Sequence, residues 1–342
     1  MTSPKETIFL STIKQQNLAQ CLPFESSPIG TLISFNENLQ AFELSTTTNA
    51  LDAGHLQIEL VVFSDINMTT FANLLIACKI NSCVLQAINH RNNLTSYRFT
   101  AQVSDLKIAR EQLAVFTTEH QIEAALLCSA PTLAIPGLLV MDMDSTTIKI
   151  ECIDEIAALA GVGEEVSAVT ELAMQGQLDF SESLHQRVGK LAGASESILA
   201  SVADNIPLME GLETLITELK KHQWRIAIAS GGFTYFADHL KNKLALDAAE
   251  ANVLEIKEQT LTGKVLGKVV DAQAKADCLA SLQTEFNIAS TQTVAMGDGA
   301  NDLVMMAAAH LGVAFHAKPL VLAQADSCIS KSGLDCLLHW LA

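Results

Sequence analysis

Two aspartates, Asp142 and Asp144, follow an apolar run in the sequence LLVMDMDSTT, residues 138–147. The run predicts a short buried strand, and open α/β sheets bind their ligands at the carboxyl ends of such strands. Two like charges buried together are costly unless a cation or a proton compensates them. On its own, this pair is equally well explained by turn-forming acids that cap a strand.

A second acidic strand end lies near the far end of the chain, in the sequence VAMGDGAND at residues 294–302. Its glycines allow the backbone to approach a ligand closely, and the segment opens a helix. Asn301 or Asp302 alone is explained as a helix N-cap. Two aspartate-rich strand ends in one parallel sheet, with Asp298 in the second, instead predict a hard, oxygen-only site suited to Mg²⁺.

Two further features predict a place for an anion. The sequence IAIASGG at residues 226–232 ends a strand with Ser230 and Gly231 just before a helix, where backbone N–H groups are available to bind an anion. Lys275 lies on a helix predicted to begin near Asp271. An isolated lysine on a helix is usually a solvated surface residue, and only the other motifs make this one a candidate.

These four motifs, in this order, resemble those of the haloacid dehalogenase superfamily of phosphotransferases, over residues from about 137 to 342. The D-x-D-S-T motif is similar to that of the phosphoserine phosphatases. The resemblance implies that Asp142 is the nucleophile and Asp144 the general acid and base. The chemistry needs these types independently, because a carboxylate is a competent nucleophile at phosphorus and an alkoxide leaves poorly unless it is protonated.

The same resemblance assigns the charged groups around the phosphoryl group. It implies that Ser230, Gly231 and Lys275 hold the phosphoryl oxygens. It also implies that Mg²⁺ is bound by Asp142, Asp298 and the backbone carbonyl of Asp144, with Asp302 as a supporting residue. Phosphoryl transfer depends mainly on positioning and charge neutralisation, so a metal and a lysine are expected to converge on these oxygens.

The substrate contacts implied by the resemblance are those of a zwitterionic amino acid. Glu151 would bind the ammonium, Arg187 the carboxylate, Met174 and Phe180 the carbon skeleton, and Asn301 the substrate or its phosphate. A carboxylate and an arginine are the side chains that such a zwitterion requires. The alternatives are that Glu151 is a first-turn acid matching the helix dipole, that Arg187 forms a surface ion pair, and that the two apolar residues are plain core.

The elements that must position these residues form an α/β fold. Beyond residue 137, short buried strands alternate with longer helices, which favours a doubly wound parallel sheet. The predicted core covers residues 137–150 and 206–342, and residues 151–205 form an inserted helical cap. A hairpin over residues 253–270, turning around Thr262 and Gly263, is expected to extend the sheet edge.

A separate α+β domain is predicted before this core. Residues 1–50 form an extension with no evident chemistry, in which a helix is expected near residues 5–22. Residues 51–130 predict the order β-α-β-β-α-β, a ferredoxin-like unit that resembles the ACT-type domains of amino-acid metabolism. Residues 131–136, with two prolines, are the predicted linker.

Composition excludes several classes of protein. The chain has 342 residues and a formal net charge of −17, whereas a nucleic-acid binder needs a basic face. Its longest uncharged stretch, residues 124–141, is interrupted by Pro131, Pro136 and Gly137 and therefore does not predict a membrane span. The eight cysteines contain no C-x-x-C pair, and the start of the chain does not resemble a secretory signal. We expect a cytoplasmic protein with reduced thiols.

The resulting hypothesis is a Mg²⁺-dependent phosphatase that hydrolyses O-phospho-L-serine through an aspartyl-phosphate, the last step of serine biosynthesis by family resemblance. The alternatives are a phosphotransferase that uses another alcohol as acceptor, or a phosphatase of another small phosphorylated metabolite. A sensing module with an inert acidic site is a rival of a different class, and the intact motif set argues against it. The ligand of the N-terminal domain is open, and a homodimer through that domain is expected.

Overall fold

The computed structural model describes residues 6–22, 29–45, 56–174 and 177–342. The chain divides into two compact units. One unit spans Pro131–Val321, and the other combines Met1–Ala130 with Leu322–Ala342. The predicted core runs to residue 342, whereas the last residues of the chain cluster with the N-terminal unit.

The N-terminal unit is built on an antiparallel sheet. Its elements are β1 (Glu6–Phe9), α1 (Leu10–Ile13), α2 (Leu18–Cys21), β2 (Leu32–Asn36), β3 (Ala41–Ser45), β4 (Leu56–Phe63), α3 (Met68–Ala77), β5 (Ser82–Arg91), β6 (Leu94–Val103), α4 (Leu106–His120) and β7 (Ala124–Leu127). The strand order is β1-β3-β2-β5-β6-β4-β7 with antiparallel pairs. From β4 to β7 the elements follow the order expected from the sequence.

The helix expected near residues 5–22 is wrong. This segment forms β1 and two short helices, because Asn17 interrupts it. The Asn17 side chain accepts a hydrogen bond from the backbone N–H of Gln20, which starts a new helix at Leu18. Strands β1, β2 and β3 then extend the same sheet as β4 to β7.

The second unit is a largely parallel α/β sheet, as predicted. Its elements are β8 (Leu138–Met141), α5 (Cys152–Ala160), α6 (Gly163–Met174), α7 (Phe180–Lys190), α8 (Ser197–Ala203), α9 (Leu212–Lys221), β9 (Arg225–Phe233), α10 (Thr234–Leu244), β10 (Ala248–Lys257), β11 (Thr260–Leu266), α11 (Ala272–Glu285), β12 (Thr293–Gly297), α12 (Leu303–Ala308) and β13 (Leu311–Phe315). The order is β11-β10-β9-β8-β12-β13, and only β11 pairs in the antiparallel direction.

Strand β8 lies between β9 and β12, and none of its four residues has exposed surface. Burial on both faces explains why this strand reads as a continuous apolar run. Helices α5 to α8 fall within the segment predicted as a cap. No helix in the described part of the chain has the length and apolar character needed to cross a membrane.

The hairpin at the sheet edge forms, but its turn differs from the predicted one. Lys257 pairs with Thr260, so the turn consists of Glu258 and Gln259, with φ of +50° and +59°. A type I′ hairpin turn requires positive φ at both positions, and this pair adopts it without a glycine. Gly263 lies within β11 instead.

The last elements of the chain are α13 (Pro319–Leu322), β14 (Ser327–Ile329) and α14 (Leu337–Trp340). The guanidinium of Arg98, on β6, donates hydrogen bonds to the carbonyl oxygens of His339, Trp340 and Leu341 at 3.1, 3.0 and 2.7 Å. These carbonyls at a helix end have no partner inside their own helix, so a buried arginine satisfies them. This explains why the last residues cluster with the N-terminal strands.

Candidate active site

The chain leaves β8 at Asp142, which is held by three hydrogen bonds. Its backbone N–H donates to the carbonyl of Met296 on β12 at 2.9 Å, which brings the carboxyl ends of the two strands together. Its Oδ1 accepts a hydrogen bond from the N–H of Met143 at 2.7 Å, and its carbonyl accepts one from the hydroxyl of Thr147. The side chain is buried.

The five residues after Asp142 form one wide turn, closed by the N–H of Ile148 donating to the carbonyl of Met143. Within it, Ser145 has a φ of +57°, in the left-handed region that non-glycine residues rarely adopt. The Ser145 hydroxyl donates to Oε1 of Glu151 at 2.8 Å, and Oδ1 of Asp144 accepts the N–H of Cys152 at 3.2 Å. The turn is thereby fastened to the start of α5.

Three carboxylates form a cluster at the ends of β8 and β12. One oxygen from each of Asp142, Asp298 and Asp302 lies within 4.8 Å of the others. The hydroxyl of Thr146 donates to Asp298 at 3.1 Å, and the N–H of Gly299 donates to Asp302 at 3.0 Å. The two aspartates predicted from separate motifs are therefore close enough for one cation to bind both.

Lys275, on α11, is fully buried beside this cluster. Its Nζ lies 2.9 Å from Oδ2 of Asp142 and 2.7 Å from Oδ1 of Asp302. Burial by itself would lower the pKa of Lys275, but the two carboxylates outweigh burial and raise that pKa above its ordinary value. The ammonium is therefore charged, and it offsets one of the three negative charges.

Asp144 lies beside the cluster in a different electrostatic environment. Burial, together with the nearby charges of Glu151 and Asp142, raises the pKa of its carboxyl to about 8. At neutral pH this side chain therefore carries a proton and can act as a hydrogen-bond donor.

The end of β9 leaves the sheet where Ser230 and the next two glycines lie. Ala229 pairs with Glu250 and Phe233 with Asn252, so three residues of β9 face one residue of β10. Such a bulge turns backbone groups away from the strand ladder. The N–H of Gly232 donates to the Oγ of Ser230 at 2.9 Å.

Neighbouring side chains leave no free space for a Cβ atom at Gly231. A Cβ atom there would lie 2.6 Å from Cζ of Phe180, the first residue of α7. At Gly232, a Cβ would lie 2.6 Å from Cε of Met143. Both contacts are far shorter than a carbon–carbon contact allows, so the site packs directly against the backbone.

These groups line one open cavity of about 180 Å³. The residues that line it are Asp142, Asp144, Glu151, Ile153, Phe180, Leu184, Arg187, Ser230, Gly231, Gly232, Phe233, Asp298 and Asn301. Lys275 and Asp302 lie against Asp142, outside this lining. Met174 is the last residue of α6, and its side chain lies outside the described residues.

Arg187 enters the cavity lining from α7 with an unsatisfied donor. Its Nε is buried and has no hydrogen-bond partner among the residues that the structure describes. Burial lowers the pKa of Arg187, whereas Asp154, Glu151 and Asp144 raise it. A buried donor without an acceptor is costly, so this nitrogen is available to a ligand in the cavity.

A family model described as a haloacid dehalogenase-like hydrolase matches residues 137–310. The chain belongs to the haloacid dehalogenase-like hydrolases. This confirms the resemblance that the four motifs indicate and the α/β core that it implies.

Two relatives that the chain resembles are phosphoserine phosphatases. The chain is 53% identical over 248 residues to the phosphoserine phosphatase of Vibrio cholerae, across 69% of this chain and 76% of that protein. It is 57% identical over 227 residues to the one of Haemophilus influenzae, across 66% and 72%. A crystal structure of a probable phosphoserine phosphatase from Vibrio cholerae matches with a TM-score of 0.69 and 44% identity, across 83% of this chain and 86% of that one.

Phosphatases of the haloacid dehalogenase family are metal-dependent, and the residues here fit a metal. The three clustered carboxylates and the one ammonium leave two negative charges, which a divalent cation would balance. All the side-chain donors are oxygens, the set that hard cations prefer.

Sequence reasoning missed several groups of this haloacid dehalogenase-like site. Thr146 and Ser145 orient two acids, and their only sequence signal is that they follow the D-x-D pair. Ile153, Leu184 and Phe233 line the cavity, but apolar residues at helical or strand spacing cannot be told from core residues in a sequence. Asn252 binds the carbonyl of Gly231 at 2.8 Å, and its only signal is a single amide within β10.

Proposed function

We propose that this chain is a Mg²⁺-dependent phosphatase that hydrolyses O-phospho-L-serine to L-serine and phosphate, the last step of serine biosynthesis. One observation carries the proposal: a single cavity is lined by Asp142 and Asp144 and also by Glu151 and Arg187. The first pair offers a nucleophile and a proton, and the second offers opposite charges to an amino acid. The relatives named above are phosphoserine phosphatases, which does not favour the phosphotransferase alternative.

The proposed reaction has two steps at phosphorus. An oxygen of the Asp142 carboxylate attacks, the bond from phosphorus to the serine oxygen breaks, and Asp144 gives its proton to that oxygen. Asp144 then takes a proton from water, which attacks the aspartyl-phosphate and releases Asp142 and phosphate. A pKa of about 8 supports the first role of Asp144, because the proton is present at neutral pH.

Positive and hydrogen-bonding groups would hold the phosphoryl oxygens. Lys275 supplies a charged ammonium beside Asp142. Ser230 and Gly231 line the cavity, and they would offer a hydroxyl and a backbone N–H to the phosphoryl oxygens. A hydroxyl that already accepts a hydrogen bond, as that of Ser230 does from Gly232, can direct its own proton to a ligand.

We assign the metal ligands to Asp142, Asp298 and the backbone carbonyl of Asp144. Asp302 lies in the same carboxylate cluster and supports the site by binding Lys275. Bound there, Mg²⁺ would neutralise charge on the phosphoryl oxygens. The all-oxygen donor set supports Mg²⁺ over softer cations.

The substrate's amino-acid end would lie between Glu151 and Arg187. Burial raises the pKa of Glu151, and a substrate ammonium would offset the cost of its charge. The unpartnered Nε of Arg187 supports a carboxylate ligand. Phe180 and Asn301 line the same cavity. We propose that Met174, with Phe180, contacts the carbon skeleton of the substrate.

For the N-terminal unit we propose an ACT-type fold over residues 51–130 that pairs two chains. The antiparallel order β5-β6-β4-β7 supports a split β-α-β arrangement. Sedimentation equilibrium tests the homodimer.

All eight cysteines are free thiols, which supports a reducing cytoplasmic compartment.

Phosphate release from a panel of phosphorylated substrates tests the function. We expect turnover of O-phospho-L-serine that a chelator abolishes and Mg²⁺ restores. Asp142→Asn is expected to lower kcat by at least about 10³-fold because it removes the nucleophile. Asp238→Asn, an exposed aspartate on α10, is the matched control. If the protein turns over another phosphorylated metabolite rapidly but not phosphoserine, the proposed substrate is wrong. If Asp142→Asn keeps full activity, the proposed nucleophile is wrong.

A further inference from the structure

A buried asparagine connects two segments of the proposed phosphoryl site. Asn252 lies on β10 and is 1% exposed. Its Nδ2 donates a hydrogen bond to the carbonyl of Gly231 at 2.8 Å, and its Oδ1 accepts one from the N–H of Val270 at 2.8 Å. Both ends of the amide therefore bind backbone groups from different segments.

The first bond satisfies a carbonyl that the bulge in β9 removes from the strand ladder. Because Ser230, Gly231 and Gly232 face one residue of β10, the Gly231 carbonyl has lost its regular strand partner. Asn252 binds that carbonyl, and the Oγ of Ser230 binds the N–H at the other side of the same peptide unit. The peptide between the two glycines is thus held at both ends.

The second bond reaches the start of α11. Val270 precedes Asp271, whose side chain caps α11 by accepting the N–H of Ala274 at 2.9 Å. Lys275 follows in the first turn of the same helix. One side chain therefore links the bulge that carries Ser230 to the helix that carries the lysine.

We propose that Asn252 is a positioning residue for phosphoryl binding: it sets the distance between the Ser230–Gly232 bulge and Lys275. The inference rests on the proposed function, in which these two segments hold the phosphoryl oxygens. Asn252 itself does not line the cavity. Asn252 would therefore act on the phosphoryl group only through the two segments that it positions. We expect its replacement to lower the affinity for the phosphoryl group as well as the stability of the fold.

Asn252→Asp isolates the link to the bulge. The variant keeps an oxygen that accepts the Val270 N–H, but it places a second oxygen against the Gly231 carbonyl where the donor was. We expect the KM for O-phospho-L-serine and the dissociation constant of inorganic phosphate to rise together by about tenfold, as for an unmade buried hydrogen bond. Asn252→Ser, which is too short to bind both segments, serves as a second variant if the first does not fold.

Thr293→Val is the matched control. Thr293 is 1% exposed at the start of β12, where its hydroxyl donates to the Ser290 carbonyl and accepts the His310 N–H. The Thr293→Val variant loses two hydrogen bonds to backbone, as Asn252→Ser does, but at the opposite end of a strand from the site. We expect its melting temperature to fall while its phosphate dissociation constant stays unchanged.

Calorimetric titration of inorganic phosphate in Mg²⁺ buffer separates the two hypotheses. If the parent protein binds phosphate but does not hydrolyse phosphoserine, the proposed function fails while the comparison still tests Asn252. The positioning role is overturned if both Asn252 variants lower the melting temperature as Thr293→Val does yet bind phosphate as tightly as the parent. A rise of the phosphate dissociation constant in either folded variant supports it.

Discussion

The ammonium of Lys275 lies 2.9 Å from Oδ2 of Asp142, with side chains that are 1% and 8% exposed. A carboxylate buried this deeply without a counter-charge would destabilise the folded state strongly. The same ammonium also contacts Asp302. Lys275 therefore makes a buried, acid-rich strand end compatible with a stable fold, before any substrate or metal contributes.

Replacing this lysine should destabilise the protein strongly. Lys275→Met leaves two buried carboxylates without their partner, and we expect the free energy of unfolding to fall by about 3–5 kcal/mol. Urea unfolding in chelator measures the loss. Lys268→Met, at an exposed lysine seven residues before Lys275, is the control and should leave the free energy of unfolding almost unchanged. Equal losses in both variants would contradict the role of the buried ion pair.

The raised pKa of Asp144 predicts a pH-dependent stability in the absence of metal. Its pKa is about 8 in the folded protein and 3.8 in a solvated aspartate, so between these values only the folded state holds the proton. The folded state therefore loses stability as pH rises. In the presence of chelator at pH 7, the free energy of unfolding of Asp144→Asn should be about 2 kcal/mol higher than that of the parent, after allowance for partial exposure. The difference should become smaller toward about pH 4.

Urea unfolding at a series of pH values provides this comparison. A difference between Asp144→Asn and the parent that does not change with pH would show that the carboxyl has an ordinary pKa. Asp154→Asn, at an exposed acid on α5, is the control for a general charge effect.

Arg187 should affect only substrates that carry a carboxylate. Arg187→Ala is expected to raise the KM for O-phospho-L-serine by about 100-fold, as for the loss of a buried charged hydrogen bond. The kinetics of a simple aryl phosphate should change little. Steady-state kinetics of both substrates, with the exposed Arg225→Ala as control, provide the measurement. Equal losses on the two substrates would remove Arg187 from substrate recognition.

The contact between Gly231 and Phe180 predicts a rescue. In Gly231→Ala, the new Cβ would lie 2.6 Å from Cζ of Phe180, so the ring must move into the cavity, and we expect kcat/KM to fall by about tenfold or more. Adding Phe180→Leu should recover part of the loss, because the two effects are coupled through one contact. Gly189→Ala is the control, since a Cβ there meets no atom within 4 Å. If the loss of kcat/KM in the double variant equals the sum of the losses in Gly231→Ala and Phe180→Leu measured alone, this explanation is contradicted.

Some of the site could be predicted because it depends on local patterns. Apolar runs that end in acids predicted neighbouring strand ends, and the oxygens of Asp142 and Asp298 do lie within 4.8 Å. The antiparallel pair β10 and β11 was also expected, but its turn at Glu258 and Gln259 was not, because neither residue is a typical turn former. The bulge at Ser230–Gly232 gave no sequence signal beyond its glycines.

The sequence by itself determined which chemical groups stand at the strand ends, because strand periodicity and the order of motifs are local properties of the chain. Only the tertiary structure decided which of them lose contact with water and with what partner. It placed Lys275 between two carboxylates and Asn252 between two backbone segments. It also left Nε of Arg187 without a hydrogen-bond partner in the described part of the chain. Burial and Coulomb interactions depend on distances in space, and residues far apart in sequence acquire those distances only when the sheet forms.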